Sequence, residues 1–393
     1  MDLLRTATDW LAPLRSTVPE LTGQDWKGLA RLQELLSTLA PEYRQTGNRA
    51  TRSAGLLRTR RELARHGFAM RCPSTADRGG GPAAALQVLR QFVCGFHDAD
   101  LRDATGPAHG VLATRLRSRQ LRERWLDRLR EGALIGIALS ERHGGTRVRE
   151  LTATAYAKPN QRWALHVEKT HISRLHEADA FVVFFRDPYG TLSAALVDAA
   201  FPGLSREELE PVGLRGWSWG ILRMEGVEID PAADLIGEPG AGHALQYWHF
   251  TRYRPLVAAT VAGAAAGGHS EVAAMIAARQ RIGVIDQVRD HALDALGHSH
   301  QRIYAALQSA ITTARLAATG DEAAATLWAR LGKAYAVDEA LTAVRELSPL
   351  VGAVGYRASS PLAKARGDLE AFEIADGINQ EMYRSGGKSL LGW

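Results

Sequence analysis

Apolar side chains recur every three to five residues over much of the first third of the chain. The clearest stripe is formed by Leu112, Leu116, Leu121, Trp125 and Leu129. This spacing is typical of the buried face of a helix. Gly132 follows the stripe, and glycine commonly ends helices. Residues 1–132 are therefore predicted to form an N-terminal α-helical domain.

Between residues 133 and 237 the pattern changes to short runs of β-branched, aromatic and other apolar residues. The predicted strands are residues 134–139, 163–167, 180–185, 192–197 and 221–229. Turn signals such as the Asp-Pro-Tyr-Gly of residues 187–190 separate the runs. Short runs between turn signals are typical of antiparallel strands, so residues 133–237 are predicted to form a central antiparallel β domain.

From residue 238 to residue 393 the helical period returns. Residues 261–281 and 301–316 are rich in alanine and periodic, which predicts two long helices. Pro349 and Gly352 interrupt the pattern, and a last helix is predicted from about Gly377. The order of helices, strands and helices predicts a multi-domain α+β protein.

Composition narrows the classes of function without selecting one. The chain has 393 residues, enough for two or three domains. The net charge of +5 is spread along the sequence rather than clustered, so no nucleic-acid site is predicted. Neither of the two cysteines has a CxxC neighbour, which argues against a zinc site. The start of the chain does not resemble a signal peptide, and the apolar run at 256–268 is too short to span a bilayer. We therefore expect a cytoplasmic protein without a membrane segment.

Two local patterns suggest chemistry that their context does not support. Residues 216–220, Gly-Trp-Ser-Trp-Gly, match the G-x-S-x-G motif that presents a nucleophilic serine. That motif needs a strand before it and a helix after it, whereas Ser218 follows a loop-like stretch and precedes a predicted strand. His291, His298 and His300 lie close in sequence, but a polar helix or loop explains them without a metal, and no metal site is predicted.

A more specific signal comes from separated segments that occur in a fixed order. They are residues 121–146, 163–179, 213–237, 252–283, 351–356 and 373–380. Together they resemble the acyl-CoA dehydrogenase superfamily over about residues 55–392. The resemblance implies an N-terminal helical domain, a central β domain and a C-terminal four-helix bundle, with FAD bound between the last two. It also implies a homodimer or homotetramer.

The resemblance implies an enzyme that removes a proton and a hydride from an acyl thioester of CoA or an acyl carrier protein. Asp376 stands where the family has its catalytic base. Leu139, Ser140, His171 and Ser173 match contacts to the flavin, and Gly145 and Thr146 match a turn that holds the pyrophosphate. Arg279 and Gly352 match contacts to the FAD of a neighbouring subunit. Arg254 and Gly377 are expected on the substrate side. The electron acceptor is not identified.

Departures from the family pattern keep other interpretations open. Asp376 replaces a glutamate, which withdraws the carboxylate by about 1.5 Å. His171 replaces a tryptophan, Pro349 a glutamine and Ile378 a threonine, and residues 284–300 resemble an insertion. An oxidase or N-hydroxylating monooxygenase of the same fold is one alternative, and a non-catalytic scaffold is another. Asp376 could also serve only as the N-cap of the last helix, since aspartate is a good N-cap.

Overall fold

The computed structural model describes residues 6–44, 48–69, 81–143, 148–357 and 359–392. The helices before the sheet are α1 (Ala7–Leu11), α2 (Gly23–Thr38), α3 (Ala40–Tyr43), α4 (Arg49–Arg65), α5 (Gly81–His97) and α6 (Arg119–Arg130). Short 3₁₀ segments, Ala99–Asp103 and Ala108–Arg115, connect α5 to α6.

The predicted apolar stripe is distributed over two of these elements. Leu112 lies in the second 3₁₀ segment and Leu116 follows it, whereas the other three residues lie on α6. Four of the five side chains are buried, and Leu121 is half-buried. Gly132 has a φ of 99° immediately after α6, the left-handed conformation that ends helices. The stripe is therefore an apolar face as predicted, but not one continuous helix.

The central region is a seven-stranded sheet. Its strands are β1 (Ile135–Ala138), β2 (Thr154–Ala157), β3 (Trp163–Ser173), β4 (Ala180–Arg186), β5 (Leu192–Asp198), β6 (Leu204–Leu209) and β7 (Trp219–Ile229). The strand order is β1-β4-β2-β3-β7-β6, and β5 pairs with β4. Most pairs are antiparallel as predicted, but β1 and β2 each pair in parallel with β4.

Both faces of β4 are buried, which explains its unbroken apolar sequence. Val182 and Phe184 face the main core that includes the helices, whereas Phe181, Val183 and Phe185 face a second cluster within the β region. The sequence pattern missed β2 and β6. β2 has only four residues, and β6 has a partly exposed Leu-Ser-Arg-Glu-Glu-Leu sequence, so neither forms a distinct apolar run.

The chain returns to helices after the sheet. They are α7 (Gly242–Arg281), α8 (Asp290–Thr319), α9 (Glu322–Val351), α10 (Pro361–Phe372) and α11 (Asn379–Leu390). The three long helices pack against one another, and α5 packs on α7. A Cβ atom at Gly263 of α7 would lie 2.2 Å from the carbonyl oxygen of Phe92 on α5, so glycine allows this close crossing. None of the described helices combines the length and apolar character needed to cross a bilayer.

Helix α10 is fastened to the N-terminal helical region and to the segment before β7. Lys364 donates to Asp98 over 2.7 Å and to Asp100 over 3.0 Å. Asp368 accepts a hydrogen bond of 2.7 Å from the backbone N–H of Leu214. These contacts fix the end of α10 and therefore the start of the loop that follows it.

Candidate active site

Asp376 lies in the loop of residues 373–378 between α10 and α11. Its φ is 57°, and its side chain is half-buried. Helix α11 begins at Asn379, two residues later than predicted, and its N-cap is Ile378, which makes no side-chain cap. The interpretation of Asp376 as an N-cap is therefore wrong. Its carboxylate therefore does not cap the start of α11.

Two buried cations from the long helices hold this loop. Lys333 on α9 donates to the carbonyl oxygens of Phe372 (2.6 Å) and Gly377 (2.7 Å) and to Oδ1 of Asn379 (2.9 Å). Arg254 on α7 donates from Nε to the carbonyl oxygen of Asp376 over 3.0 Å. Lys333 thus uses all three of its N–H donors on the loop and its flanks. The structure brings Arg254, Asp376 and Gly377 together, and their roles stay predictions.

We expect Lys333→Met to destabilise the protein and to reduce turnover. The substitution leaves two carbonyl oxygens and one amide oxygen without their donor in a buried place, at a cost of about 3 kcal/mol in unfolding free energy. Urea unfolding measures the change in unfolding free energy. The turnover rate at saturating substrate reports whether Asp376 has been displaced. Lys27→Met, at an exposed position on α2, is the matched control and should change neither. Unaltered stability in Lys333→Met would contradict the role assigned to Lys333.

The negative charge of Asp376 acts on the pKa values of several ionisable groups on other elements. These groups are Arg174, His249, Tyr253, Arg254 and Lys333. Burial, followed by the charge of Asp376, raises the pKa of Tyr253. Burial lowers the pKa of Lys333 to about 7, and Asp376 opposes that shift. Of these groups, Arg254 on α7 and Lys333 on α9 contact the loop directly.

A buried ionic cluster stands beside the loop. Asp103 and Arg174 form a close ion pair whose side chains are 0% and 2% exposed. Tyr253 donates its hydroxyl to Asp103 over 3.3 Å. Burial and the neighbouring Arg102 lower the pKa of Arg174 to about 9. His249 stacks on Tyr253 with ring centroids 5.2 Å apart.

A cavity of about 80 Å³ opens between α5, the 3₁₀ segments and α7. Its lining includes the polar residues Gln87, Gln91, Arg102, Thr105, His249 and Tyr253. Burial lowers the pKa of His249 well below its usual value, so this histidine is neutral at neutral pH. His249 and Tyr253 line the cavity and precede Arg254 on α7, whose Nε binds the carbonyl oxygen of Asp376, so the cavity and the loop adjoin the same part of this helix.

Four of the predicted flavin contacts meet at one edge of the sheet. The backbone N–H of Thr170 on β3 donates to the carbonyl oxygen of Ser140 over 2.9 Å, and Lys169 donates to the carbonyl oxygen of Leu139 over 3.2 Å. Ser140, just beyond β1, is therefore next to the end of β3 that carries His171 and Ser173. This edge is close to the ionic cluster, because Arg174 donates to Oγ of Ser173 over 2.5 Å.

His171 is exposed at this edge and has a φ of 61°. Its ring lies 5.2 Å from that of Trp219 at the start of β7. Histidine has a smaller ring than the tryptophan that it replaces, and Trp219 supplies aromatic area next to it.

The other predicted cofactor residues are not part of this edge as described. Gly145 and Thr146 lie outside the described residues. Arg279 is half-buried in the last turn of α7, and Gly352 is exposed at the end of α9 with a φ of 63°. Because the resemblance assigns Arg279 and Gly352 to the FAD of a neighbouring subunit, their roles stay predictions.

Ser218 does not form a nucleophile site. Its hydroxyl donates to Glu177 over 2.6 Å and accepts a hydrogen bond of 2.8 Å from the backbone N–H of His176. The side chain is buried, and β7 rather than a helix follows it. Of the two alternatives for the three histidines, a polar helix or loop, the structure has a helix, α8. His291 and His298 are exposed on it, whereas His300 is half-buried and stacks on Trp10.

Sequence reasoning missed four buried charged residues around the candidate base: Arg102, Asp103, Arg174 and Lys333. A signal existed for the first two, because residues 98–103, Asp-Ala-Asp-Leu-Arg-Asp, place four charges directly after the apolar helix α5. For Lys333 only its position within an alanine-rich apolar helix was informative. Their partners come from distant parts of the chain and could not be assigned by spacing.

Family models match the central and C-terminal parts of the chain. The model of the acyl-CoA dehydrogenase middle domain matches residues 136–227, and that of the C-terminal domain matches residues 240–391. Cyclohexane-1-carbonyl-CoA dehydrogenase of Geobacter metallireducens is 27% identical over 270 residues, covering 67% of this chain and 70% of that protein.

Solved structures share the fold at lower sequence identity. An acyl-CoA dehydrogenase complexed with FAD from Bacillus anthracis superposes with a TM-score of 0.81 at 18% identity, covering 99% of this chain and 68% of that one. A glutaryl-CoA dehydrogenase from Mycobacterium smegmatis in complex with FADH2 gives a TM-score of 0.75 at 19% identity, with 97% of each chain covered. The helical N-terminal region, the curled sheet and the C-terminal bundle, together with the two family models, show that this chain belongs to the acyl-CoA dehydrogenase superfamily.

Proposed function

We propose that the protein catalyses α,β-dehydrogenation of an acyl thioester, with Asp376 as the base that accepts the α-proton. Membership of the superfamily makes the chain an oxidoreductase acting on CH–CH groups, with FAD as its cofactor. The observation that carries the proposal is the carboxylate of Asp376, which caps no helix. It lies on a loop fixed by Lys333 and Arg254 and beside a cavity.

The residues at the sheet edge fit a flavin. Leu139 and Ser140 offer backbone and hydroxyl groups, and Ser173 offers a second hydroxyl close to them. His171 presents an exposed ring on which a planar group can pack. When bound, FAD supplies an acceptor for the hydride that leaves the β-carbon of the substrate. The protein supplies position and electrostatics.

The loop that carries Asp376 serves the removal of the α-proton. The C–H bond at the α-carbon breaks and its proton passes to the carboxylate of Asp376, while the electron pair forms the carbon–carbon double bond. Among the described residues, none accepts a hydrogen bond from the backbone N–H of Asp376. That N–H can therefore donate to the thioester carbonyl oxygen, which makes the α-proton more acidic. Arg254 binds the carbonyl oxygen of Asp376, which belongs to the next peptide group, and so helps to hold this residue in place.

The test is anaerobic mixing of the FAD-loaded protein with short and medium acyl-CoA thioesters while the flavin absorbance is followed. We expect a thioester to bleach the flavin and the enoyl thioester to appear in equal amount. If no acyl group, presented on CoA or on an acyl carrier protein, bleaches the flavin, the proposal is wrong. Rapid reaction of the reduced protein with O₂ would favour an oxidase instead, and a protein that takes up no FAD would favour a scaffold.

We also propose that the protein forms a homodimer or homotetramer. Arg279 and Gly352 are placed by the superfamily resemblance against the FAD of a second subunit, and the structure puts both at ends of long helices. Light scattering of the FAD-loaded protein measures its mass directly. A monomer that binds FAD tightly would show that these two residues do not serve a partner's cofactor.

A further inference from the structure

We propose that Arg174 is a positioning residue for the flavin, and that its buried positive charge favours the reduced form of the cofactor. The inference rests on the proposed function, and it concerns how readily bound FAD takes up electrons rather than which thioester supplies them. The observations behind it are the contact of Arg174 with Ser173, the charges buried around these two residues, and the backbone conformation of Arg174.

Arg174 is joined directly to the sheet edge that fits a flavin. It follows Ser173 at the end of β3, and its Nη1 donates to Oγ of Ser173 over 2.5 Å. A second guanidinium, that of Arg102, has its Nη2 3.5 Å from the same oxygen. A hydroxyl oxygen can accept two hydrogen bonds and donate one. Because the two guanidinium groups take up the acceptor capacity of this oxygen, the hydroxyl hydrogen of Ser173 is left to donate to a ligand at the edge.

The buried charges next to Ser173 do not cancel. Arg174 and Asp103 form a close ion pair, and Nε of Arg102 lies 3.9 Å from the same carboxylate. Two guanidinium groups therefore share one carboxylate. Burial and the charge of Arg102 lower the pKa of Arg174 to about 9, so Arg174 is still charged at neutral pH. The three side chains together carry one net positive charge.

The neighbouring ionisable groups leave this positive charge in place. Tyr253 and His249 are neutral at neutral pH, because burial raises the pKa of the tyrosine and lowers the pKa of the histidine. The carboxylates of Asp376 and Glu177 also act on Arg174. Of these two, Asp376 becomes neutral when it accepts the α-proton. The positive charge is therefore least opposed in the state that holds the reduced cofactor.

Arg174 is kept in this position against two local costs. Its φ is 60°, in the left-handed region that residues other than glycine rarely adopt. Its Nε makes no hydrogen bond to any described residue, and a buried polar group without a partner is costly. Such costs concentrate at active sites and ligand clamps. They are more typical of a residue with a role at the flavin than of one that only stabilises a strand.

A positive charge beside the flavin changes the balance between its two oxidation states. The oxidised ring system is neutral, whereas the ring system that has accepted a hydride carries a negative charge. Opposite charges attract more strongly where water is excluded, so reduced FAD should bind more tightly than oxidised FAD. Charge close to the ring is one of the means by which a protein tunes this cofactor. Arg174 is therefore expected to raise the midpoint potential of bound FAD.

The experiment measures the midpoint potential of the FAD-loaded protein at pH 7 by anaerobic reduction beside a reference dye, without any thioester. Arg174→Met removes one positive charge. It should weaken the binding of reduced FAD relative to oxidised FAD about 10-fold, which lowers the potential by about 30 mV. Asp103→Asn removes the opposing negative charge and should raise the potential by a similar amount. The double variant again has one net positive charge, so its potential should stay near the unaltered value.

Two further variants separate the charge from the structure. Arg128→Met is the matched control, because it removes an arginine that pairs at the surface, and it should leave the potential unaltered. Arg174→Lys keeps the charge and should keep most of the potential. If Arg174→Met binds FAD fully at the unaltered potential, or if Arg174→Met and Asp103→Asn shift it in the same direction, the inference is overturned. If Arg174→Met does not fold, Asp103→Asn and the double variant still decide, since only a charge effect raises the potential in one and cancels in the other.

Failure of the inference is distinguishable from failure of the proposed function. The dye reports the potential whether or not any thioester is a substrate. A potential that follows the charges of Arg174 and Asp103 while no thioester bleaches the flavin overturns the proposed function alone. Turnover of a thioester with a potential that ignores these charges overturns the inference alone. A protein that takes up no FAD overturns both.

Discussion

Asp376→Asn should lower the rate of flavin reduction by substrate about 100- to 10,000-fold while the protein still binds FAD. The substitution keeps the size of the side chain but removes its ability to accept a proton, and general-base catalysis contributes a factor of this order. Asparagine also tolerates the left-handed backbone conformation at this position (φ 57°), so the loop should stay in place. Stopped-flow absorbance under anaerobic conditions measures the rate, and the flavin spectrum before mixing measures cofactor binding.

Asp376→Glu is the matched variant for this experiment. It retains a carboxylate but extends it by about 1.5 Å, and glutamate in the left-handed region costs roughly 1 kcal/mol. We expect a rate between those of the unaltered protein and of Asp376→Asn. An Asn variant that reduces flavin at the unaltered rate would show that Asp376 is not the base. A Glu variant faster than the natural protein would show that the shorter side chain is not matched to the substrate tested.

The fold was predictable because each region has its own hydrophobic period. All five predicted strands are present, and the long alanine-rich helices contain residues 261–281 and 301–316 as expected. The hydrophobic pattern could not predict which strands pair with each other. The parallel pairing of β1 with β4 and the existence of β6 depend on contacts between distant segments, which leave no local signature.

The candidate site was likewise only partly predictable from the sequence. Position in an ordered set of motifs predicted roles for Asp376, Arg254 and Gly377, and the structure places the three residues together. The groups that hold and surround them were not predictable. Lys333 reaches the loop from α9, 40 or more residues away in sequence, and its chemistry is evident only from its three acceptors. Spacing rules describe residues on one element, whereas this site is assembled from several.

The largest effect on stability is expected for Arg174→Met. The change leaves Asp103 as a buried carboxylate without its close cationic partner, and breaking a buried ion pair from one side costs roughly 3–5 kcal/mol. Arg102 lies 3.9 Å from the same carboxylate and offsets part of this loss, so we expect a value of about 3 kcal/mol. Urea unfolding of the FAD-free protein measures the change without a contribution from the cofactor. Arg128→Met is the matched control, because Arg128 pairs with Asp179 and Asp198 at the surface, where a pair contributes about 1 kcal/mol or less.

A second substitution separates the loss of the pair from the loss of packing. Asp103→Asn removes the negative charge but keeps an oxygen that can accept the hydroxyl of Tyr253, which now donates to Asp103 over 3.3 Å. Combined with Arg174→Met, it leaves neither charge buried alone, so the double variant should be more stable than Arg174→Met by itself. If the losses of unfolding free energy in the two single variants simply add in the double variant, the carboxylate and the guanidinium do not interact strongly. The cost of Arg174→Met then comes from packing. Recovery in the double variant would instead show that Arg174 and Asp103 stabilise each other as a charged pair in the interior.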